Sequence, residues 1–179
     1  MKAFNQTKGG RGLEPFFDEY INLYSGELTR FCISLCGNKA DADDLFQETW
    51  YKAMKNYDKY NDAYPFEKWL LAICANCFKD FKRLSHNKRI VGFQNESEEN
   101  LFFDSLPDIN SEKRFDYVEL HCAVAALPNK FKVVLTLYYF KDYSIKEISE
   151  ILSLAEGTVK SRLRKAKSVL KRRLTDENY

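Results

Sequence analysis

SIKEISEILSLAEGTVKSRLRKAKSVLKRR, residues 144–173, reads as two helices joined by a tight turn. Ser144 with Glu147 three residues on forms a capping box: the hydroxyl accepts from an orphan N–H of the first turn, and the carboxylate reaches back to the cap. Ile145, Ile148, Ile151 and Leu152 then recur at helical spacing until residues 153–157, SLAEG, interrupt the stripe. From Thr158 the stripe resumes with Val159, Leu163, Ala166 and Leu170. Lys160, Ser161, Arg164, Lys165 and Lys167 are left off the apolar face. Two short helices with a basic second one make a helix-turn-helix, whose chemistry suits duplex DNA.

Charge agrees with that reading. Residues 141–174 hold ten Lys and Arg against four Asp and Glu, a local charge of +6 in a chain whose net charge is +2, so the remainder sums to −4. A charge run is by default a solvated helix face; the two-helix pattern at the same place favours a phosphate-facing surface instead.

The wider segment LPNKFKVVLTLYYFKDYSIKEISEILSLAEGTVKSRLRKAKSVLKRRL, residues 127–174, resembles region 4 of the bacterial sigma factors of the extracytoplasmic-function group, in the sigma-70 family. It departs in two places. Ser153 stands where the family usually has the turn glycine, and Ala155 where it usually has a serine cap for the second helix. A non-glycine residue at positive φ and a missing cap each cost on the order of 1 kcal/mol.

With 179 residues, 45% of them hydrophobic and 30% charged, the chain is long enough for one domain or two small ones. It has no run of about eighteen apolar residues, so no stable membrane insertion is expected. Glu14, Asp18 and Glu19 interrupt any signal core near the start, and a cytoplasmic location follows as the expectation. Five cysteines, Cys32, Cys36, Cys74, Cys77 and Cys122, are an odd number and argue for reduced thiols. The two cysteine pairs, with His121, have the ligand types of a zinc site, but both pairs fall in apolar helical stretches without a knuckle turn. Packing is the expected role, with no metal or other cofactor.

Phe16, Phe17, Tyr20, Leu23, Tyr24, Leu28, Phe31, Cys32 and Leu35 recur at threes and fours and predict an amphipathic helix, or a pair, over residues 13–36. Gly37 and Asn38 end it, and Asp41 is expected to cap a second helix from Ala42 to about Tyr57. That helix begins DADDLFQETW, residues 41–50, and exposes Asp44, Gln47 and Glu48. Residues 58–65 are polar and turn-rich, with Tyr57, Tyr60, Tyr64 and Phe66 around them; such aromatics either staple the loop down or offer stacking surfaces to unpaired bases. A third helix, from Glu67 to about Leu84, is expected to bury Trp69, Leu70, Ile73, Cys77 and Phe81 and to show Asn76, Lys79, Lys82 and Arg83.

DADDLFQETW looks like sigma region 2.2, and PFEKWLLAICANCFKDFKR, residues 65–83, looks like regions 2.3 and 2.4. By that resemblance Asp44, Gln47 and Glu48 dock on core RNA polymerase. Tyr60, Asn61, Tyr64, Phe66, Asn76, Lys79, Lys82 and Arg83 meet the −10 strand, and Lys160, Ser161, Arg162, Arg164, Lys165 and Lys167 meet the −35 duplex. The resemblance implies an all-α fold of two small helical domains, region 2 over 13–86 and region 4 over 114–175; composition adds a disordered arm over residues 1–12 and a flexible acidic linker over 87–113. The resemblance also implies promoter DNA, core RNA polymerase and an anti-sigma factor as partners. In region 4, a helix ending before Pro128 precedes one opened by Pro128 and apolar nearly all round. No nucleotide loop, metal triad or nucleophile constellation is visible, so the chain is expected not to be an enzyme. The rival reading is a stand-alone helix-turn-helix regulator that senses a ligand through its amino-terminal half.

Overall fold

The computed structural model describes residues 13–84, 120 and 122–176, with side chains described for 17–80, 120 and 122–175. The expected arm, the linker and His121 lie outside the described residues. Among the described residues the fold is all-helical. Helix α1 spans Leu13–Cys36, α2 Lys39–Lys55 and α3 Phe66–Leu84, with a 3-10 turn at Tyr57–Lys59. Helical residues 122–125 lead to α4, Asn129–Phe140, then α5, Ile145–Leu152, and α6, Glu156–Asp176.

Local chemistry sets most boundaries. Helix α1 is continuous through Gly26 and ends at Gly37, whose φ of 77° only glycine adopts freely. The next cap is Asn38 rather than the expected Asp41. The Asn38 side chain accepts from the Asp41 N–H at 2.8 Å and donates to the Asp41 carboxylate at 3.0 Å, so α2 begins three residues early, at Lys39. Pro128 likewise precedes its helix as a cap at ψ 137°, and α4 begins at Asn129. The capping box of α5 forms as read: Ser144 Oγ accepts from the Glu147 N–H, and the Glu147 carboxylate accepts from the Ser144 N–H at 2.9 Å. Ser153 then ends α5 in the left-handed region, at φ 51° and ψ 50°.

Leu28, Phe31, Cys32 and Leu35 of α1, Leu45 and Ala53 of α2, and Leu70, Cys74 and Phe78 of α3 form a buried core that continues into Val133, Val134 and Leu137 of α4 and Ile148 of α5. The amino-terminal and carboxy-terminal units therefore share one apolar interior. A smaller cluster of Leu127, Leu135 and Ala166 closes α4 on α6. Within α3 the expected buried stripe is shifted: Leu71, Cys74, Ala75 and Phe78 join Leu70 and Cys77 inside, while Trp69 and Ile73 are half-buried. Cys32 and Cys74 meet at 3.7 Å between sulfurs, and Cys36 and Cys77 are also buried. Burial pushes the Cys77 thiol up, as it does Cys32, whose hydrogen bond to Cys74 contributes most.

Helix α4, expected to be apolar nearly all round, also carries a charge inward. Lys132 is fully buried, and its ammonium donates to the Leu35 carbonyl at 3.1 Å and the Ala125 carbonyl at 2.6 Å, 5.7 Å from the centre of the Phe78 ring. Leu35 lies in the last turn of α1, whose carbonyls have no partner further along the helix; a cation there also meets the negative end of the helix dipole.

Candidate nucleic-acid interface

Helices α5 and α6 carry the basic face expected from the sequence. Val159, Leu163 and Ala166 bury one side of α6 against α4 and α5. The opposite side consists of exposed Gly157, Lys160, Ser161, Arg164, Lys165, Lys167 and Ser168. Arg162 differs from the rest of its expected set: it is half-buried, away from that line. Lys160 lies 3.9 Å from the Glu156 carboxylate, at the limit of pairing, and both side chains are at least half exposed. The Lys167 ammonium sits 5.6 Å from the Tyr138 ring and 5.2 Å from the Tyr139 ring; a hydrogen bond with Tyr139 is the main cause that raises it above its ordinary value.

On the amino-terminal unit, Asp44 and Gln47 are exposed on α2, and Glu48 is half-exposed and paired with Lys52 at 3.2 Å. Exposed Tyr51 and Met54 continue along the same helix. Between α2 and α3 the aromatics divide. Phe66, expected among the stacking surfaces, is 4% exposed and sits at the centre of a ring cluster, stacked on Tyr20 at 4.0 Å with Tyr24, Tyr60 and Trp69 around it. It staples the loop to the core and presents no face to a base. Tyr60 is half-buried against Tyr57 and Trp69, and burial pushes its hydroxyl up to about 12. Asn61 and Tyr64 remain exposed, as do Asn76 and Lys79 on α3, the latter two joined by a 3.1 Å hydrogen bond. The side chains of Lys82 and Arg83 lie outside the described residues.

The loop and α3 touch the first helix of the helix-turn-helix. Tyr64 donates to Glu150 at 3.1 Å, and Lys68 pairs with Glu147 at 3.0 Å. Hydrogen bonds from the Ser144 hydroxyl and N–H, with Lys68 beside them, hold the Glu147 carboxyl at about 2. At the far side Lys141 bridges Glu67 of α3, at 2.7 Å, and Glu27 of α1, at 3.0 Å. Burial alone would raise Glu67, but Lys141 and a hydrogen bond from Tyr143 outweigh it and lower its carboxyl. Sequence spacing gave no sign of these contacts.

Residues 20–88 match the profile of Sigma-70 region 2, and residues 117–170 that of Sigma-70, region 4. The chain is 27% identical over 182 residues to the ECF RNA polymerase sigma factor SigW of Bacillus subtilis, covering 98% of this chain and 96% of that one. It is 30% identical over 154 residues to SigM of the same organism, covering 86% and 92%. In fold it resembles the sigma factor RpoE from Bartonella quintana, solved in complex with the anti-sigma factor NepR, with a TM-score of 0.66 at 22% identity over 89% of this chain and 97% of that one. A stand-alone regulator leaves the region 2 match unexplained. A basic recognition helix, an acidic α2 face and relatives aligned over nearly their whole length lead to one assignment: the chain belongs to the ECF RNA polymerase sigma factors.

Proposed function

We propose that this chain is the promoter-specificity subunit of RNA polymerase, with its two DNA-reading surfaces divided between its two units. The observation that carries the proposal is the pairing, in one chain, of an exposed basic face on α6 with an acidic face on α2 and an aromatic-flanked loop between α2 and α3. Asp44, Gln47 and Glu48 dock on a basic surface of the core polymerase, where complementary charge sets orientation and on-rate more than affinity. Lys160, Ser161 and Arg164 reach base edges in the −35 major groove, while Arg162, Lys165 and Lys167 neutralise phosphates.

Tyr60, Asn61 and Tyr64, with Asn76, Lys79, Lys82 and Arg83, hold the unpaired −10 strand. Stacking and base capture supply about 1–3 kcal/mol per base, so melting needs no hydrolysis and the chain itself is not an enzyme. Phe66 supports this loop from beneath instead of stacking on a base.

Reading both elements at once requires the two units to part. Elements near −35 and −10 lie about 25 base pairs apart, roughly 85 Å at 3.4 Å per base pair. Tyr64 of the loop and Lys68 of α3 hold the amino-terminal unit against α5 at hydrogen-bond distance. The free chain is thus the closed form, and core polymerase binds the open one. An anti-sigma factor, the kind of partner bound to the Bartonella relative, would act by favouring a form that polymerase does not bind. The work takes place in the cytoplasm, where polymerase and promoter meet.

The test is transcription in vitro with sigma-free core polymerase on a promoter library, comparing the chain with an Asp44→Lys, Glu48→Lys variant. Specific transcripts from the wild type and none from the variant are expected. A wild type that yields no transcripts but binds duplex DNA alone as a dimer would overturn the reading. Within the same assay Arg164→Ala should relax −35 preference, whereas Lys167→Ala should weaken all DNA alike and lower the salt slope by about one.

A further inference from the structure

Gly157 is a residue that the fold itself does not require. It lies in the first turn of α6, outside the positive-φ positions, and a Cβ built on it meets nothing within 4 Å. Neither a left-handed backbone nor a close neighbour in the chain calls for glycine there. Glycine is among the poorest helix formers, so its presence in α6 works against the helix. The reason for it lies outside the chain.

Its position says what lies outside. Gly157, Ser161, Arg164 and Ser168 follow at intervals of four, three and four residues, along the line opposite the buried Val159, Leu163 and Ala166. That line is the crest of the exposed face. Lys160 and Lys171 flank it on one side, and Lys165 and Arg172 on the other, all exposed. A crest of small residues on either side of Arg164, lowest at Gly157 and with cations on both flanks, fits a double-stranded groove whose floor is bases and whose walls are phosphates. In a helix-turn-helix the amino-terminal part of the recognition helix approaches base edges, so Gly157 is at the deep end.

We infer that Gly157 is a specificity-determining position at which the missing side chain sets how deeply α6 enters the −35 major groove, bringing Ser161 and Arg164 into hydrogen-bond range of base edges. The inference rests on the promoter-reading function proposed above. Gly157 makes no base hydrogen bond through a side chain; it positions the residues that do. A methyl group there lifts the helix off the floor of the groove while the flexible lysine and arginine stems still reach phosphates. Base-specific contacts are lost before electrostatic ones, because hydrogen bonds to base edges tolerate little change in distance.

The experiment uses the full chain reconstituted with sigma-free core polymerase, a library randomised through the −35 element, and a random-sequence duplex of equal length. Gly157→Ala and Gly157→Leu are compared with the wild type, alongside thermal unfolding of each free chain. For Gly157→Ala the expected result is an unfolding temperature equal to or above that of the wild type, unchanged affinity for random duplex, and −35 discrimination reduced about 10-fold. Gly157→Leu should lose more. A variant as stable as the wild type that enriches the same −35 sequences to the same degree overturns the inference and leaves the promoter reading intact. Should the wild type itself enrich no −35 sequence, the promoter reading fails and takes the inference with it.

Discussion

Replacing Lys141 by methionine tests what holds the two units closed. Methionine keeps much of the lysine stem and its apolar contacts while removing the charge. Glu27 and Glu67, now 3.0 and 2.7 Å from the Lys141 ammonium, would then face one another without a cation. Losing one partner of a fully buried pair costs about 3–5 kcal/mol, and an exposed pair is worth less than about 1 kcal/mol. The Lys141 side chain is 13% exposed, Glu67 31% and Glu27 42%, which places the loss between those limits, at about 2 kcal/mol. With 1.4 kcal/mol per factor of ten, the closed-to-open ratio should fall by about 30-fold. Small-angle scattering of the free chain reads this as a larger radius of gyration, and a labelled −35 duplex reads it as tighter binding in the absence of polymerase. Far-UV circular dichroism should show unchanged helix content. Unchanged scattering and unchanged DNA affinity would refute the reasoning, since the bridge would then add nothing to closure.

Two further outcomes follow from the helix-turn-helix. Ser153→Gly relieves a left-handed backbone at φ 51° and should raise the unfolding temperature by about 2–4 °C, for a gain of about 1 kcal/mol; no rise would mean that the Ser153 conformation carries no strain. Glu147, lowered from 4.5 to about 2, stabilises the folded chain above its unfolded value, and that contribution is lost as pH falls through about 2. A carboxyl titration followed by nuclear magnetic resonance should show this low midpoint in the wild type and a higher one in Ser144→Ala, and a wild-type midpoint near 4.5 would dispose of the cap and Lys68 as its cause.

How legible each feature was in the sequence depended on how local its cause is. The capping box is decided by Ser144 and Glu147, three positions apart, and is readable from those residues, whereas the left-handed Ser153 is expected only through the family's turn glycine at that place. The Asn38 cap is equally local, but Asn38 and Asp41 are both capping types three residues apart, and spacing alone does not say which of them caps. For Phe66 the spacing left stapling and stacking open, because periodicity tells which residues are apolar but not which aromatics of a turn fold inward. The Lys132 and Lys68 contacts join residues 97 and 79 positions apart, and their partners are a carbonyl and an exposed-looking glutamate that no spacing rule connects to them. Of the exposed face of α6, Lys160, Ser161, Arg164, Lys165 and Lys167 were legible from the spacing, whereas Gly157 and Ser168 were not, and Arg162 is half-buried.

The buried ammonium of Lys132 limits how freely the halves of such proteins can be recombined. A chimera that joins this carboxy-terminal unit to another amino-terminal unit retains the Ala125 carbonyl but must find a substitute for that of Leu35 and for the Phe78 ring. Where the new half lacks a carbonyl at that depth, the lysine has to keep its water, and the hybrid should rest further open than either parent. Exchanging exposed α6 residues leaves this joint intact, whereas exchanging whole units does not.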